Sequence, residues 1–197
     1  MEVAFIFNRA ISDNKFLTTS NFNGIEYVHI REYSQSSEGI YSIPTQKGAS
    51  FTGKRWAVFR RIIPKIDQMI HLAKDEPETT YKAHLGRGIY LEINPEFRHV
   101  DIRSYFMLDD QITVQATKRG ICLSFSQWRI LTNLIADLHR KKPYLLSIQP
   151  CFEQVGHQEL SNNFECRECV PFSGIRQIIP LTNNDNDDDY KKFANNF

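Results

Sequence analysis

The chain matches itself when shifted by 72 positions, and this internal repeat constrains its fold more than any other feature. Val28 falls on Val100, Ile30 on Ile102, Arg31 on Arg103, Tyr33 on Tyr105 and Ile40 on Ile112. Thr45 then meets Thr117, Lys47 meets Arg119, Gly48 meets Gly120, Phe51 meets Leu123 and Trp56 meets Trp128. The register from Arg31 to Trp56 equals that from Arg103 to Trp128 without a gap. Chance does not align both tryptophans, both glycines and both Ile-Arg-x-Tyr runs, so the chain carries a tandem duplication.

Each copy reads alike. Around 25–33 and 100–106, β-branched and aromatic residues alternate with polar ones, the period of a half-buried strand. A second short strand ends at Lys47-Gly48 or Arg119-Gly120. The spacing then becomes helical: Trp56, Phe59, Ile62, Ile63, Ile66 and Ile70 mark one face, as do Trp128, Leu131, Leu134, Ile135 and Leu138. Ser124 or Ser126 is a suitable N-cap for the second helix, and Pro64 inside the first is expected to kink it. The fold class expected is α+β: two repeats, each a curved antiparallel β-sheet followed by one α-helix, paired as an intramolecular pseudo-dimer. A dimer of chains is the competing arrangement.

The boundaries expected are 1–71 for the first repeat, 72–86 for a linker and 87–142 for the second repeat. A C-terminal extension, 143–182, packs on the repeats or mediates oligomerisation, and 183–197 form an acidic disordered tail. The formal charge of +1 conceals a gradient: +3 over 1–71, +2 over 72–142, and −2 in each of 143–182 and 183–197. Apolar residues make up 41% of the chain, enough for a core. No apolar stretch approaches the roughly 20 residues of a spanning helix, and the start lacks the basic region of a signal peptide. Four cysteines are too few and too late for a disulfide framework. The expectation is a soluble intracellular protein, with no membrane partner.

The repeat resembles the single-stranded-DNA-binding domain of the transcriptional coactivator positive cofactor 4. The residues that carry the likeness are Ile30-Arg31-Glu32-Tyr33, Lys47-Gly48 and the hairpin Asn21-Phe22-Asn23-Gly24 in the first copy. In the second they are Ile102-Arg103-Ser104-Tyr105-Phe106, Lys118-Arg119-Gly120 and Ser126-Gln127-Trp128. The likeness covers roughly 15–71 and 87–141. It implies a saddle in which β-ribbons hold two antiparallel strands. Such binding needs cations along the phosphates and flat side chains for stacking. Carried over residue by residue, the implied set is Lys15, Phe22, Arg31 and Lys47 with Arg87, Phe97, Arg103, Phe106, Lys118 and Arg119. Phe97 stands in for the hairpin phenylalanine because Asn94 occupies the gap-free position. The first copy departs at Ser34, where the family has an aromatic.

Plainer roles stand beside these. Arg31 and Arg103 can pair with strand neighbours such as Glu26 or Asp101, and both tryptophans suit core packing. Tyr33 and Tyr105 divide evenly between core and binding face. Gly48-x4-Gly53-Lys54 resembles a phosphate loop, but Arg55 replaces the Mg²⁺-binding hydroxyl, so no nucleotide site is expected. Lys54 and Arg55 remain candidates for backbone phosphates. No catalytic constellation is present, and the chain reads as non-enzymatic. No cofactor is required; Cys151, His157, Cys166 and Cys169 offer a zinc alternative to reduced, buried thiols.

Three functions remain open. One is sequence-independent single-stranded DNA binding in replication or genome maintenance, in keeping with a viral source and with a tail that recruits replication proteins. The second is a nuclear transcription coactivator acting on melted promoter DNA, its C-terminal region contacting transcription proteins. The third is a protein-interaction scaffold without DNA binding.

Overall fold

The computed structural model describes residues 7–73, 80–108, 113–154, 157 and 166–172. The first unit comprises β1 (Phe7–Ala10), β2 (Lys15–Phe22), β3 (Ile25–Gln35), β4 (Tyr41–Thr52) and α1 (Gly53–Leu72). The second comprises β5 (Tyr81–Gly86), β6 (Ile89–Asn94), β7 (His99–Met107), β8 (Val114–Ser124) and α2 (Phe125–Lys141). Each sheet is an antiparallel meander in chain order, followed by its helix. Two short 3-10 turns, Pro143–Leu146 and Cys151–Glu153, follow.

Alternation decides which way each strand faces. Leu17 pairs with Ile30, Val28 with Phe51 and Ile30 with Ala49, and all of these are buried. Leu91, Ile102, Val100, Ile121 and Leu123 repeat the pattern. The helices cover these faces. Phe51 lies edge-on to Trp56 at 5.8 Å, and Phe59 packs with its ring tilted against both, 5.2 Å from each. One continuous core then joins both units, with Phe59 meeting Trp128 at 5.9 Å.

The union of the two units is reciprocal. Trp56 of α1 donates its indole N–H to His139 Nε2 of α2 at 3.0 Å. Trp128 of α2 donates to Asp67 Oδ1 of α1 at 2.7 Å. The tryptophans are repeat partners, and so are positions 67 and 139, so the two bonds are one contact made twice about a pseudo-two-fold axis. The repeats therefore pair within one chain, with β4 beside β7 and β8.

The same strand irregularity occurs in both units. After Arg31↔Gly48 the register of β3 and β4 resumes at Tyr33↔Pro44, so three residues oppose Glu32 alone. After Arg103↔Gly120 it resumes at Tyr105↔Ala116, so three residues oppose Ser104. Thr45 Oγ1 donates to the Glu32 carbonyl at 2.7 Å and accepts the Lys47 N–H at 3.1 Å. Thr117 Oγ1 does the same with Ser104, at 2.8 Å, and Arg119, at 3.0 Å. The arginine of each unit donates to the carbonyl of that threonine: Arg31 to Thr45, and Arg103 to Thr117 at 2.8 Å. Glycine is required opposite it, since a Cβ on Gly48 would sit 2.8 Å from Arg31 Cα, and one on Gly120 2.9 Å from Arg103 Cβ. Arginine, threonine, the following cation and glycine thus build one bulge.

Several expectations change. Tyr81–Gly86, read as linker, is the edge strand β5, because the second hairpin begins earlier than its weak alternation indicated. Arg87 stands in the β5–β6 turn with φ 48°, not on a strand. Strand pairing relates β2 to β6 by 74 positions, since Leu17↔Ile30 corresponds to Leu91↔Ile102. The second hairpin is two residues shorter, so Lys15 corresponds to Ile89, and Asn94 to Ser20 rather than to Phe22. Helix α1 continues for 20 residues through Pro64. Ser124 is the N-cap of α2, in a capping box with Gln127. The described parts of 143–172 fold onto the repeats: Leu145 is buried, and Ile148 fills the space where Gly53 has no side chain. The expected tail, 183–197, lies outside the described residues.

Candidate nucleic-acid interface

The face of each sheet turned away from its helix carries the aromatic and basic side chains. On the first sheet, Tyr27, His29, Arg31 and Tyr33 share that face of β3, beside Phe16, Thr18 and Ser20 of β2. Phe16 meets Tyr33 edge-on at 5.2 Å, and the Tyr33 hydroxyl lies 3.2 Å from Thr18 Oγ1. His29 is held between Ser20, 2.7 Å from Nε2, and Ser50, 2.8 Å from Nδ1. Arg31 Nη2 donates to the same Ser50 hydroxyl at 2.9 Å. Burial, reinforced by the Arg31 charge, pushes the His29 pKa down to about 4, so the imidazole is neutral near pH 7.

The second sheet carries the same pair on its own residues. Tyr90 meets Tyr105 edge-on at 5.1 Å, the counterparts of Phe16 and Tyr33 by strand register. Lys82 of β5 lies 4.2 Å from the Tyr105 ring centre and donates to its hydroxyl at 3.1 Å, with Glu92 at 3.5 Å. His84 packs on Tyr90 at 4.9 Å, and burial pushes its pKa down to about 4. Arg103 is gripped by both Asp101 carboxylate oxygens, at 2.7 and 3.0 Å. The expected partner of Arg31, Glu26, instead binds Lys142.

Beyond the bulges, β3–β4 and β7–β8 extend as two-stranded ribbons. Lys47 is exposed at the first bulge and pairs with Glu32 at 3.1 Å. Lys118 and Arg119 are exposed at the second, with no ion-pair partner among the described residues. Phe106 on the second ribbon is 42% exposed. Its repeat partner is Ser34, but Ser34 pairs with Ile43, which is 49% exposed, whereas Phe106 pairs with Gln115. The apolar side chain has changed strands between the copies. Phe22 ends β2 and Phe97 sits in the β6–β7 turn, 52% and 65% exposed, each beside a turn secured by an asparagine: Asn21 to Gly24 N–H, and Asn94 to Phe97 N–H.

Lys15 stands apart from this set. Its ammonium crosses to the second unit, donating to the Cys122 carbonyl at 2.7 Å and Gln127 Oε1 at 3.1 Å, so it joins the units. Arg55, a candidate for phosphate contact, is buried and bound by Glu168 of the C-terminal extension at 2.8 and 3.0 Å. Arg87 gives its backbone N–H to the Glu168 carbonyl at 2.8 Å. Sequence reasoning missed Lys82, Tyr90 and Phe16. The first two lay behind the misplaced linker and the 72-residue alignment; the alternation of Phe16 with Leu17 was a usable signal. Cys151, His157, Cys166 and Cys169 converge, their donor atoms all within 4.8 Å of one another.

Residues 9–62 match the family model of Transcriptional Coactivator p15 (PC4). The match begins in β1 and ends within α1; the second unit, with the same strands and helix, lies beyond it. Among curated proteins, the chain is 38% identical over 58 residues to a putative RNA polymerase II transcriptional coactivator of Caenorhabditis elegans, covering 29% of this chain and 47% of that protein. It is 33% identical over 60 residues to the RNA polymerase II transcriptional coactivator KELP of Arabidopsis thaliana, covering 30% of this chain and 35% of that protein. The matched part thus spans less than half the length of either relative. No solved structure matches. The family and both relatives carry coactivator rather than catalytic descriptions. No helix among the described residues is long and apolar enough to cross a membrane.

Proposed function

We propose that the chain binds single-stranded DNA without reading its sequence and serves as a nuclear transcription coactivator. The observation that carries this reading is the duplicated bulge. In each unit it sets cations, Lys47 or Lys118 and Arg119, at the root of a ribbon, next to a sheet face bearing an aromatic pair and an arginine. Phosphates run along the cations while bases stack on exposed rings, above all Phe106, Phe22 and Phe97. Arg31 and Arg103 hold the bulge and add positive potential to it; Arg87 lies at the margin of the second sheet. The pseudo-two-fold axis presents two such tracks in opposite directions, suited to the two separated strands of a melted duplex.

The coactivator role is favoured over replication because the matched family and both relatives are named for transcription. The replication reading rests on the duplication, which fits both roles, and on the acidic tail, which lies outside the described residues. Contacts of the C-terminal region with transcription proteins belong to the same proposal.

Fluorescence anisotropy with labelled single- and double-stranded oligonucleotides, across a salt series, tests the binding. Salt-sensitive binding to the single strand, well above duplex, is expected. Equal weak binding to both overturns it and favours the protein scaffold. Stimulation of transcription from a reconstituted RNA polymerase II promoter then tests the coactivator role, and its absence in a chain that binds single strands normally returns replication to the fore.

A further inference from the structure

The four metal-capable residues outside the sheets have the geometry of a closed site. Cys151 opens a 3-10 turn, while Cys166 and Cys169 flank a tight turn in which the N–H groups of Cys169 and Val170 donate to the Cys166 carbonyl at 3.1 and 2.7 Å. His157 is buried against them. The Cys151 sulfur lies 3.7 Å from the Cys166 sulfur and 3.7 Å from His157 Nδ1. A tetrahedral zinc ion, with bonds of about 2.3 Å to sulfur and about 2.0–2.1 Å to nitrogen, sets donor atoms about 3.5–3.8 Å apart. Two of the donor pairs already stand at the spacing that ion demands, and the rest lie within 4.8 Å, so a small inward shift of side chains completes the tetrahedron.

We propose that Cys151, His157, Cys166 and Cys169 bind one zinc ion as a structural Cys3His centre that staples the C-terminal extension to the paired units. Three thiolates and an imidazole form a soft donor set that suits zinc over magnesium or calcium. Four protein ligands leave no open position, so the ion builds structure and does not catalyse. Its effect is transmitted through Glu168, which lies between two of the ligands. The Glu168 carboxylate neutralises the buried Arg55 at the start of α1, and its carbonyl receives the N–H of Arg87 in the second unit. Fixing the Cys166–Cys169 turn thus fixes a brace from the first helix to the second sheet.

The test is metal analysis of the full chain purified under reducing conditions without chelator. One zinc per chain is expected. Of its four thiols, only exposed Cys122 should react quickly with a thiol reagent before chelation, and all four afterwards. Cobalt(II) reconstitution should give the intense visible bands of a tetrahedral ion and the near-ultraviolet thiolate charge transfer. Cys166→Ser should lose the metal, while Cys122→Ser keeps it. A chain that holds neither zinc nor cobalt through gel filtration, with four freely reactive thiols, overturns the proposal. So does a disulfide among these cysteines in the reduced preparation, or equal metal loss in both variants. If Cys166→Ser does not fold, the cobalt spectrum and thiol count of the parent chain decide alone.

Discussion

Phe106 on the second ribbon and Arg119 at its root would bind by different physics. The phenyl residue is 42% exposed in the free protein, and that exposed part is free to cover a base. Phe106→Ala should weaken single-strand binding by about 1–3 kcal/mol with little change in salt dependence. Arg119 offers a charge to phosphate, so Arg119→Ala should lower the log–log salt slope by about 0.7. Anisotropy titrations of both variants at several salt concentrations separate the two; matching effects on slope would remove the assigned roles. Arg103 is a poorer probe, since it also holds the Thr117 carbonyl and the Asp101 carboxylate, and its removal would disturb the bulge as well as the charge. The arginines were legible as important from the repeat, but their hydrogen bonds were not. A repeated residue looks the same in sequence whether it touches DNA or its own backbone.

At the scale of elements, the bulge explains why the repeat is strongest where it is. Arg31, Thr45, Lys47 and Gly48, with Arg103, Thr117, Arg119 and Gly120, are the set that closes the irregularity in each unit. Gly120→Ala places a methyl 2.9 Å from the Arg103 side chain and 3.0 Å from the Ile102 carbonyl, which forces the strands apart. A loss of about 1–3 kcal/mol in urea unfolding is expected, together with weaker DNA binding as Lys118 and Arg119 are displaced. Gly120→Ala with parental stability would show that β8 can move aside freely. The strands and helices of this region followed from alternation and helical spacing. Strand β5 did not, because an edge strand of six residues with Lys82 and His84 facing outward looks like a linker. Nor did the hairpin lengths follow: a gap-free alignment cannot see that the second hairpin ends two strand pairs earlier and closes with a four-residue turn in place of a two-residue one.

The whole molecule is held by one core and by the reciprocal tryptophan bonds, and this gives its stability a pH dependence. Burial holds His29 and His84 at a pKa of about 4, and burial beside Arg60 lowers that of His139, whose neutral Nε2 accepts the Trp56 indole N–H. His29 faces Ser20 and Ser50 with Arg31 nearby, and His84 lies near Glu168 and Arg55. With folded values below the ordinary 6.5, these groups are neutral in both states above that pH. As pH falls from about 6.5 towards 4, the unfolded chain takes up protons first, so stability declines; below about 4 the penalty is complete. Thermal melts across this window should show a falling midpoint, and His29→Asn, which still hydrogen-bonds a serine, should shrink the fall. A flat profile in the parent chain would mean that these histidines are readily protonated in place.

By itself, the sequence determined that there are two copies, that each is a sheet followed by a helix, and which aromatic faces form the core, because periodicity and repetition are local and survive without coordinates. It also held a resemblance that the family match of 9–62 supports for the first copy. The tertiary structure decided that the copies pair with each other through Trp56–His139 and Trp128–Asp67, that Lys15 joins the units, and that Arg55 is buried under Glu168. It also brought Cys151 and His157 to Cys166 and Cys169. These are contacts between residues up to 113 positions apart. No local rule encodes them, because they arise only when packing of the two helices and the returning C-terminal segment fixes which surfaces meet.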